Sequence, residues 1–372
     1  MFSLRVRVVG FIAAIQSILF VAHWFVYETW RVFRADHDPP GITRLQVALA
    51  VLSVSFVAAT LLAFRYSNRW VRWFYRMAGV WLGVLNFCFV AACACWVVYL
   101  GSRLFGLRLG RPAIAGTLFG LAIVTSIYGI INARWVRVKR VKVALANLPQ
   151  SWRGRVAALV SDVHLGHVNG SGFIRRIVAM LLRLRPDVVF ITGDLYDGTK
   201  VNPDDLAAPW KELSPAFGTY FVTGNHEEFS DPTRYLDAVK SSGIRVLDNE
   251  TVTVDGLQIV GVHYRDSANP DRFRSILEDA SLDRSRSSIL LAHAPHGLAI
   301  AEKQGVSLQL SGHTHGGQLF PFTWFTRRVF GEYAHGLKRF GALMVYTSSG
   351  AGTWGPPMRV GTRPEIALIE FE

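Results

Sequence analysis

Hydrophobic positions follow two regimes along the chain. In the first part they form four near-continuous runs, about Val8–Val26, Leu45–Phe64, Met77–Leu100 and Ala113–Ile131. Each is close to the ~20 residues a helix needs to cross a hydrocarbon core. Each is flanked by Arg or by tryptophans such as Trp24, Trp30, Trp70 and Trp73, which suit a membrane interface. The runs predict four transmembrane helices. A cleaved signal peptide would explain only the first. Polar residues inside them are few: Gln16, His23, Asn86, Thr125 and Ser126. They include no acid–base pair and no arginine series, so they indicate packing rather than a transport path or voltage sensor. Gly116 and Gly120 offer a close helix contact.

Beyond about Val136 the period changes to that of strands. Val136–Val143 alternates apolar and basic residues for much of its length. Val156–Val160, Val188–Thr192 and Tyr220–Thr223 read as buried strands, with an amphipathic helix over Phe173–Leu184 between the first two. Ile244–Leu247, Thr251–Val254 and Leu257–Val262 follow, the last two joined by the hairpin signal Asp255-Gly256. Further strands are predicted at Ile289–Ala292, Leu308–Leu310, Leu343–Thr347 and Ile366–Glu370. This favours an α/β architecture of stacked or mixed sheets covered by helices. The domain organisation expected is a membrane domain over 1–134 and an α/β domain over 135–372.

Charge sharpens the division. Of 40 Lys+Arg and 27 Asp+Glu, residues 1–150 hold 17 and 3, so the net +13 is +14 in the first part and −1 in the rest. A pI near 10.0 would ordinarily suggest nucleic acid, but the cations sit at the predicted membrane edges. The near-neutral second part argues against a nucleic-acid enzyme. Eleven Lys and Arg, from Arg5 and Arg7 through the second loop to Arg134–Lys142, fall on one side of the spans, against six on the other. The positive-inside rule then places both termini in the cytoplasm, with the chain integral to an inner or plasma membrane. The three cysteines, Cys88, Cys93 and Cys95, all lie in the third run. The second part therefore has no disulfide framework and no cysteine-based metal site.

Candidate chemistry gathers where strands end. The strand at Val156–Val160 runs into Ser161-Asp162-Val163-His164, and Val188–Thr192 into Gly193-Asp194-Leu195-Tyr196-Asp197. Tyr220–Thr223 is followed by Gly224-Asn225-His226-Glu227, Ile289–Ala292 by His293, and Leu308–Leu310 by Ser311-Gly312-His313-Thr314-His315. Ligands in α/β folds collect at the carboxyl ends of strands. A cysteine-free set of Asp, Asn and His suits Mn, Fe, Zn or Co rather than Ca or Mg alone. It is too large for one tetrahedral ion and suits two ions, which would acidify a water and clamp the oxygens of a displacement at phosphorus.

These motifs, taken in order with Gly350–Arg359 and Arg363-Pro364-Glu365-Ile366, resemble the calcineurin-like metallophosphoesterases over about residues 136–372, and within them a membrane-associated phosphodiesterase branch. The resemblance implies a two-sheet sandwich flanked by helices (α/β/β/α). It implies two divalent ions, manganese favoured. Asp162, His164 and His315 would hold the first, Asn225, His293 and His313 the second, and Asp194 would bridge them. His226 would face the phosphate, stabilising charge or protonating the leaving oxygen. The third motif reads GNHE where many members have GNHD, a position outside the ligand set where little consequence is expected.

Other residues carry alternatives. Asp197 either orients a ligand or closes a turn. His167, His263 and His296 suit surface or packing roles, with His296 able to approach substrate. Arg359 would hold a phosphate oxygen or be solvated. Gly312, Gly316 and Gly317 permit a tight loop, and the spacing of His313 and His315 suits an extended segment whose alternate residues point the same way. The run Leu319–Phe325, followed by Arg327-Arg328, reads as a membrane-dipping lip or as a buried loop over the sheet.

The function expected is a membrane-anchored phosphoesterase. A metal-bridging hydroxide would cleave a phosphodiester, phosphomonoester or diphosphate, with a lipid-linked phosphate as substrate and the bilayer as partner. The alternatives are soluble nucleotides or phosphoproteins as substrates, or a membrane scaffold or sensor with a structural metal site.

Overall fold

The computed structural model describes residues 4–34, 39–229 and 232–372; Arg5 and Arg7, part of the orientation count above, have side chains outside what is described. The chain forms two compact units, Met1–Ile131 with Gly355–Met358, and Asn132–Trp354 with Arg359–Glu372.

The first unit is helical: α1 (Leu4–Phe33), α2 (Pro39–Arg65), α3 (Arg69–Leu104) and α4 (Arg111–Arg134). Each is long and apolar enough to cross a membrane, and each runs beyond its apolar run. Side chains such as Phe11, Ile18, Val51, Val97 and Ile123 are exposed on them, an outward apolar surface suited to lipid. The polar residues are absorbed inside the unit, as a packing role requires. The Trp81 indole donates to His23 Nε2 (2.8 Å), and the Trp96 indole donates to Thr29 Oγ1 (3.0 Å). Gln16 donates to the Ser53 carbonyl (2.9 Å) and Ser126 to that of Ala122 (2.8 Å).

The second unit holds two six-stranded mixed sheets. The first has the order β1 (Arg137–Val143), β12 (Glu365–Phe371), β2 (Val156–Val160), β3 (Val188–Thr192), β4 (Thr219–Val222), β5 (Arg245–Val246). The second runs β10 (Gly336–Phe340), β11 (Leu343–Thr347), β9 (Leu308–Ser311), β8 (Ser288–Leu291), β7 (Leu257–Gly261), β6 (Glu250–Val254). The β6–β7 hairpin turns at Asp255-Gly256, both with positive φ (45° and 87°), as a two-residue turn of that kind requires.

Strand period builds the layers. In β2, Ala157 and Leu159 point between the sheets, where they meet Ile259, Ile289, Leu310 and Tyr346 of the second sheet. Their neighbours Ala158 and Val160 face the other way, onto Ile174, Ile177 and Leu181 of α5 (Ser171–Leu184). Further helices are α6 (Pro203–Ala207), α7 (Pro232–Ser241) and α8 (Tyr264–Ser267). On the second sheet Val260, Leu290 and Val345 face α9 (Pro270–Asp279) and α10 (Leu298–Lys303) through Phe273, Leu277 and Ala301. The result is the α/β/β/α sandwich expected. Burying each such aliphatic or aromatic side chain contributes about 1.5–3 kcal/mol. The strand β10 and the helices after α5, including a final one, α11 (Phe322–Phe330), are elements that the hydrophobic pattern did not predict.

Candidate metal centre

Within the first sheet β2, β3 and β4 run parallel, so their carboxyl ends share one edge; β8 and β9 do the same in the second sheet. Cross-bonds then join the two edges. His293 Nδ1 meets the Thr192 carbonyl (2.7 Å), and the His313 amide donates to both Asp162 oxygens (3.0 and 3.1 Å). Within one edge the Asp162 amide donates to the Gly193 carbonyl (3.1 Å) and the His164 amide to that of Asp194 (3.0 Å).

These bonds bring all eight sequence-predicted site residues together. Among the described residues, three groups of side chains lie close enough to hold an ion: Asp162, His164 and His315; His164, Asp194 and His226; Asp194, His293 and His313. Asp194 belongs to two of them. Its Oδ1 accepts the His226 amide (2.9 Å), and its Oδ2 lies 3.2 Å from His293 Nε2 and 3.7 Å from His164 Nε2. Asn225 Oδ1 joins the third group, 3.1 Å from His293 Nε2 and 3.0 Å from His313 Nδ1.

The donor set fits divalent ions. His164 and His315 point ring nitrogens at each other across 2.9 Å. The other His164 nitrogen is buried without a hydrogen-bond partner. Burial holds His164, His226 and His315 below the usual histidine range, and pushes His313 down to about 3 with help from His293, so these rings present neutral lone pairs. Burial raises Asp162 to about 6. At Asp194 burial opposes ionisation, but His293, His164 and His226 overcome it and hold the carboxyl far below its usual range. Burial opposes protonation of His293 too, yet Asp194 and Asp162 raise it to about 9.

The loops differ from the sequence expectation in four places. His313 and His315 do not lie in an extended segment: both have positive φ (69° and 50°), and the turn between them sends the rings to different groups. Gly312 permits the approach, since a Cβ there would sit 1.9 Å from Ser161 Oγ and 2.2 Å from Asp162 Oδ2. Arg359 is neither a free phosphate ligand nor solvated. It is fully buried, donating to the carbonyls of Gly352 (2.6 Å), Gly350 (3.3 Å) and His315 (3.2 Å), with an amino group 3.1 Å from His315 Nδ1. Burial lowers it to about 10. Glu227 is more than a tolerated variation. Its buried carboxylate accepts the amides of Asp194 (3.0 Å), Tyr196 (3.1 Å) and Gly224 (2.7 Å), clasping two strand-end loops. The aromatic run is not a buried loop; it opens α11, which has no buried residue.

The remaining residues take supporting places. The Asp197 side chain closes a turn by accepting the Thr199 amide (2.8 Å), while its carbonyl lies 3.0 Å from His226 Nδ1 and orients that ring. His167 meets Thr199 Oγ1 (2.9 Å), and His263 meets Glu228 (3.2 Å). His296 lies beside His313, ring centres 6.4 Å apart, stacked on Phe330 at 5.6 Å. Gln318 bonds the Trp354 backbone in both directions (2.8 and 2.9 Å). Trp354 and Phe229, both largely exposed, flank His226 at 5.7 and 4.5 Å. Trp354 lies within the Gly350–Arg359 motif, but nothing in the sequence marked it or Phe229 as facing His226.

The calcineurin-like phosphoesterase family profile matches residues 156–317, which contain every residue of the three groups. A "transmembrane protein with metallophosphoesterase domain" from Danio rerio is 34% identical over 317 residues, 78% of this chain and 71% of that protein. The chain belongs to the calcineurin-like metallophosphoesterases. This metallophosphoesterase is therefore a metal-dependent phosphoester hydrolase, and the apolar helices with relatives so named support a membrane protein. An uncharacterized metallophosphoesterase of Aquifex aeolicus is 32% identical over 258 residues, 68% of this chain and 98% of that protein. One from Helicobacter pylori strain J99 is 34% identical over 217 residues, 57% of this chain and 58% of that protein.

Proposed function

We propose that the protein is a membrane-anchored dinuclear-metal phosphoesterase acting on a membrane-borne, lipid-linked phosphate. Residues 1–134 would be the anchor and 135–372 the catalytic domain. The excess of cationic residues on one side of the spans favours a cytoplasmic site; a carboxyl-terminal reporter active only outside the cytoplasm would overturn that.

Asp162, His164 and His315 would hold one ion, and Asn225, His293 and His313 the other. Asp194, shared by two of the groups, would lie between them. Manganese is the metal favoured. The ions would supply Lewis acidity toward phosphoryl oxygens and an acidified water as nucleophile. The chain's own residues orient and move protons. The Asp197 carbonyl engages His226 Nδ1 and keeps the neutral ring's proton there, so Nε2 would take up a proton before passing it to the leaving oxygen, a charged form that burial opposes and Asp194 favours. Glu227 fixes the Asp194 and Asn225 loops, and Arg359 fixes the loop of His315.

The single observation favouring a lipid-linked substrate is the exposed aromatic pair beside His226. A leaving group entering there meets Phe229 and Trp354 rather than the cations a nucleotide would seek. The test is a screen of lipid phosphates and aryl phosphodiesters with manganese, using the full chain in nanodiscs beside Asp194→Asn. The expected result is turnover of a bilayer-embedded phosphoester that falls at least about a thousandfold in the variant. No turnover of any substrate by wild type, or equal rates in both proteins, would reject the reading. Equal turnover of soluble and embedded substrates would favour nucleotides or phosphoproteins, and full metal occupancy without turnover would favour a scaffold or sensor.

A further inference from the structure

Helix α11 leaves the metal loop only a few residues after His315 and lies flat on its unit. Its inward side is Thr323, Thr326 and Phe330, one helical face at the i, i+3, i+7 spacing, each half-buried. Thr323 packs so closely under the loop that a Cβ on Gly317 would meet its Cα at 2.4 Å. Phe330 reaches the centre itself, its ring 6.2 Å from that of His313. Everything else on the helix points away. Phe322, Trp324, Phe325 and Val329 are 53%, 60%, 51% and 74% exposed, Phe320 just before the helix is 49% exposed, and Arg327 and Arg328 are exposed among them.

Five large apolar side chains on one short outward surface are costly in water and are not what a solvated helix carries. Aromatic and aliphatic side chains interleaved with arginines, lying parallel to a surface, are the composition of an interfacial helix. The rings enter the headgroup boundary while the guanidinium groups stay at phosphate level. A protein groove would satisfy the rings but offers no reason for two adjacent cations between them; an anionic lipid surface satisfies both. Trp354 and Phe229, also exposed, stand beside His226 of the same centre.

We infer that α11 is an interfacial helix that immerses Phe322, Trp324, Phe325 and Val329 in an anionic bilayer, with Arg327 and Arg328 on its phosphates. The inference deepens the membrane-borne reading above and rests on it. Because Phe330 joins the helix to His313, immersion would set the metal loop at headgroup depth.

The test places a nitroxide at Phe325→Cys in the full chain, with Cys88, Cys93 and Cys95 replaced by alanine. A second label at Arg274→Cys on α9 is the control. Nanodiscs are made of phosphatidylcholine with and without phosphatidylglycerol. In discs with phosphatidylglycerol the label at 325 is expected to collide more readily with oxygen than with a water-soluble nickel complex, and the label at 274 to show the reverse. Replacing Arg327 and Arg328 by Gln should lower the immersed-to-aqueous ratio roughly fivefold per arginine removed in those discs alone. A label at 325 as aqueous as that at 274 overturns the inference. So does dipolar broadening between labels at position 325, which would mean that a second copy covers the helix. Immersion without turnover of any embedded phosphoester would reject the substrate reading and leave the helix assignment standing. Turnover with an aqueous label would do the opposite.

Discussion

Asp162, His164, Asp194, His313 and His315 share a property that has nothing to do with their side-chain chemistry. All five have φ between 50° and 69°, the left-handed region. For a residue with a Cβ this costs about 1 kcal/mol or more, and such residues collect at functional sites. The backbone is bent first, and the ligand atoms converge because of it. The usual order of substitutions should therefore invert here. At Asp162, glycine relieves the bend whereas alanine keeps it, so Asp162→Gly should unfold later than Asp162→Ala by roughly 1 kcal/mol, although both lose activity. Denaturant unfolding of the two variants measures this, and a more stable alanine variant would contradict it. The residue types of the site were readable from the chain, since Asp, Asn and His at successive strand ends announce metal chemistry. Their conformation was not: spacing alone allowed an extended arrangement of His313 and His315. Glu227 and Arg359 were misjudged for a related reason. Their partners are backbone amides and carbonyls, which leave no mark in a sequence.

Among the elements, those with a strict period were legible to within a residue or two. β2 alternates its faces so regularly that Ala157 and Ala158 enter different cores. β10 escaped because GLKRF buries only Gly336 fully. α11 escaped because nine residues are too few for a helical period to outweigh an aromatic run that also fits a loop. The loop after β9 shows how an element's end is tuned to its neighbour. Gly312→Ala would push a methyl group into the space of Ser161 Oγ and Asp162 Oδ2. The carboxylate must move, while the strands behind it need not. The expected result is a loss of metal affinity of about ten- to a hundredfold, the range seen when groups supporting a ligand are disturbed. Calorimetric titration with manganese measures it, and unchanged affinity would show that the loop can yield.

At the scale of the whole molecule, the division in charge along the chain was plain in the sequence, and it foreshadowed the two compact units of the fold. Histidine rings pressed together around ionised Asp194, all but His293 held toward the neutral form, make the second unit a poor home for itself without cations. Metal should therefore stabilise it by mass action, by about 2.7 kcal/mol at a free concentration a hundredfold above the dissociation constant. Thermal unfolding with manganese against unfolding with a chelator reads this directly. Asp194→Asn should lose most of the difference, and an equal shift in that variant would place the ions elsewhere.

Only Trp135 and Val136 separate the end of α4 from the start of β1. For the membrane anchor proposed, a connection that short would tie the enzyme's concentration to membrane area rather than to volume. With the lipid-linked substrate proposed, reactant and catalyst would meet in two dimensions, and the mole fraction of substrate in the lipid sheet would govern the rate. Diluting the surface with inert lipid starves such an enzyme even when the amount of substrate in the vessel is unchanged.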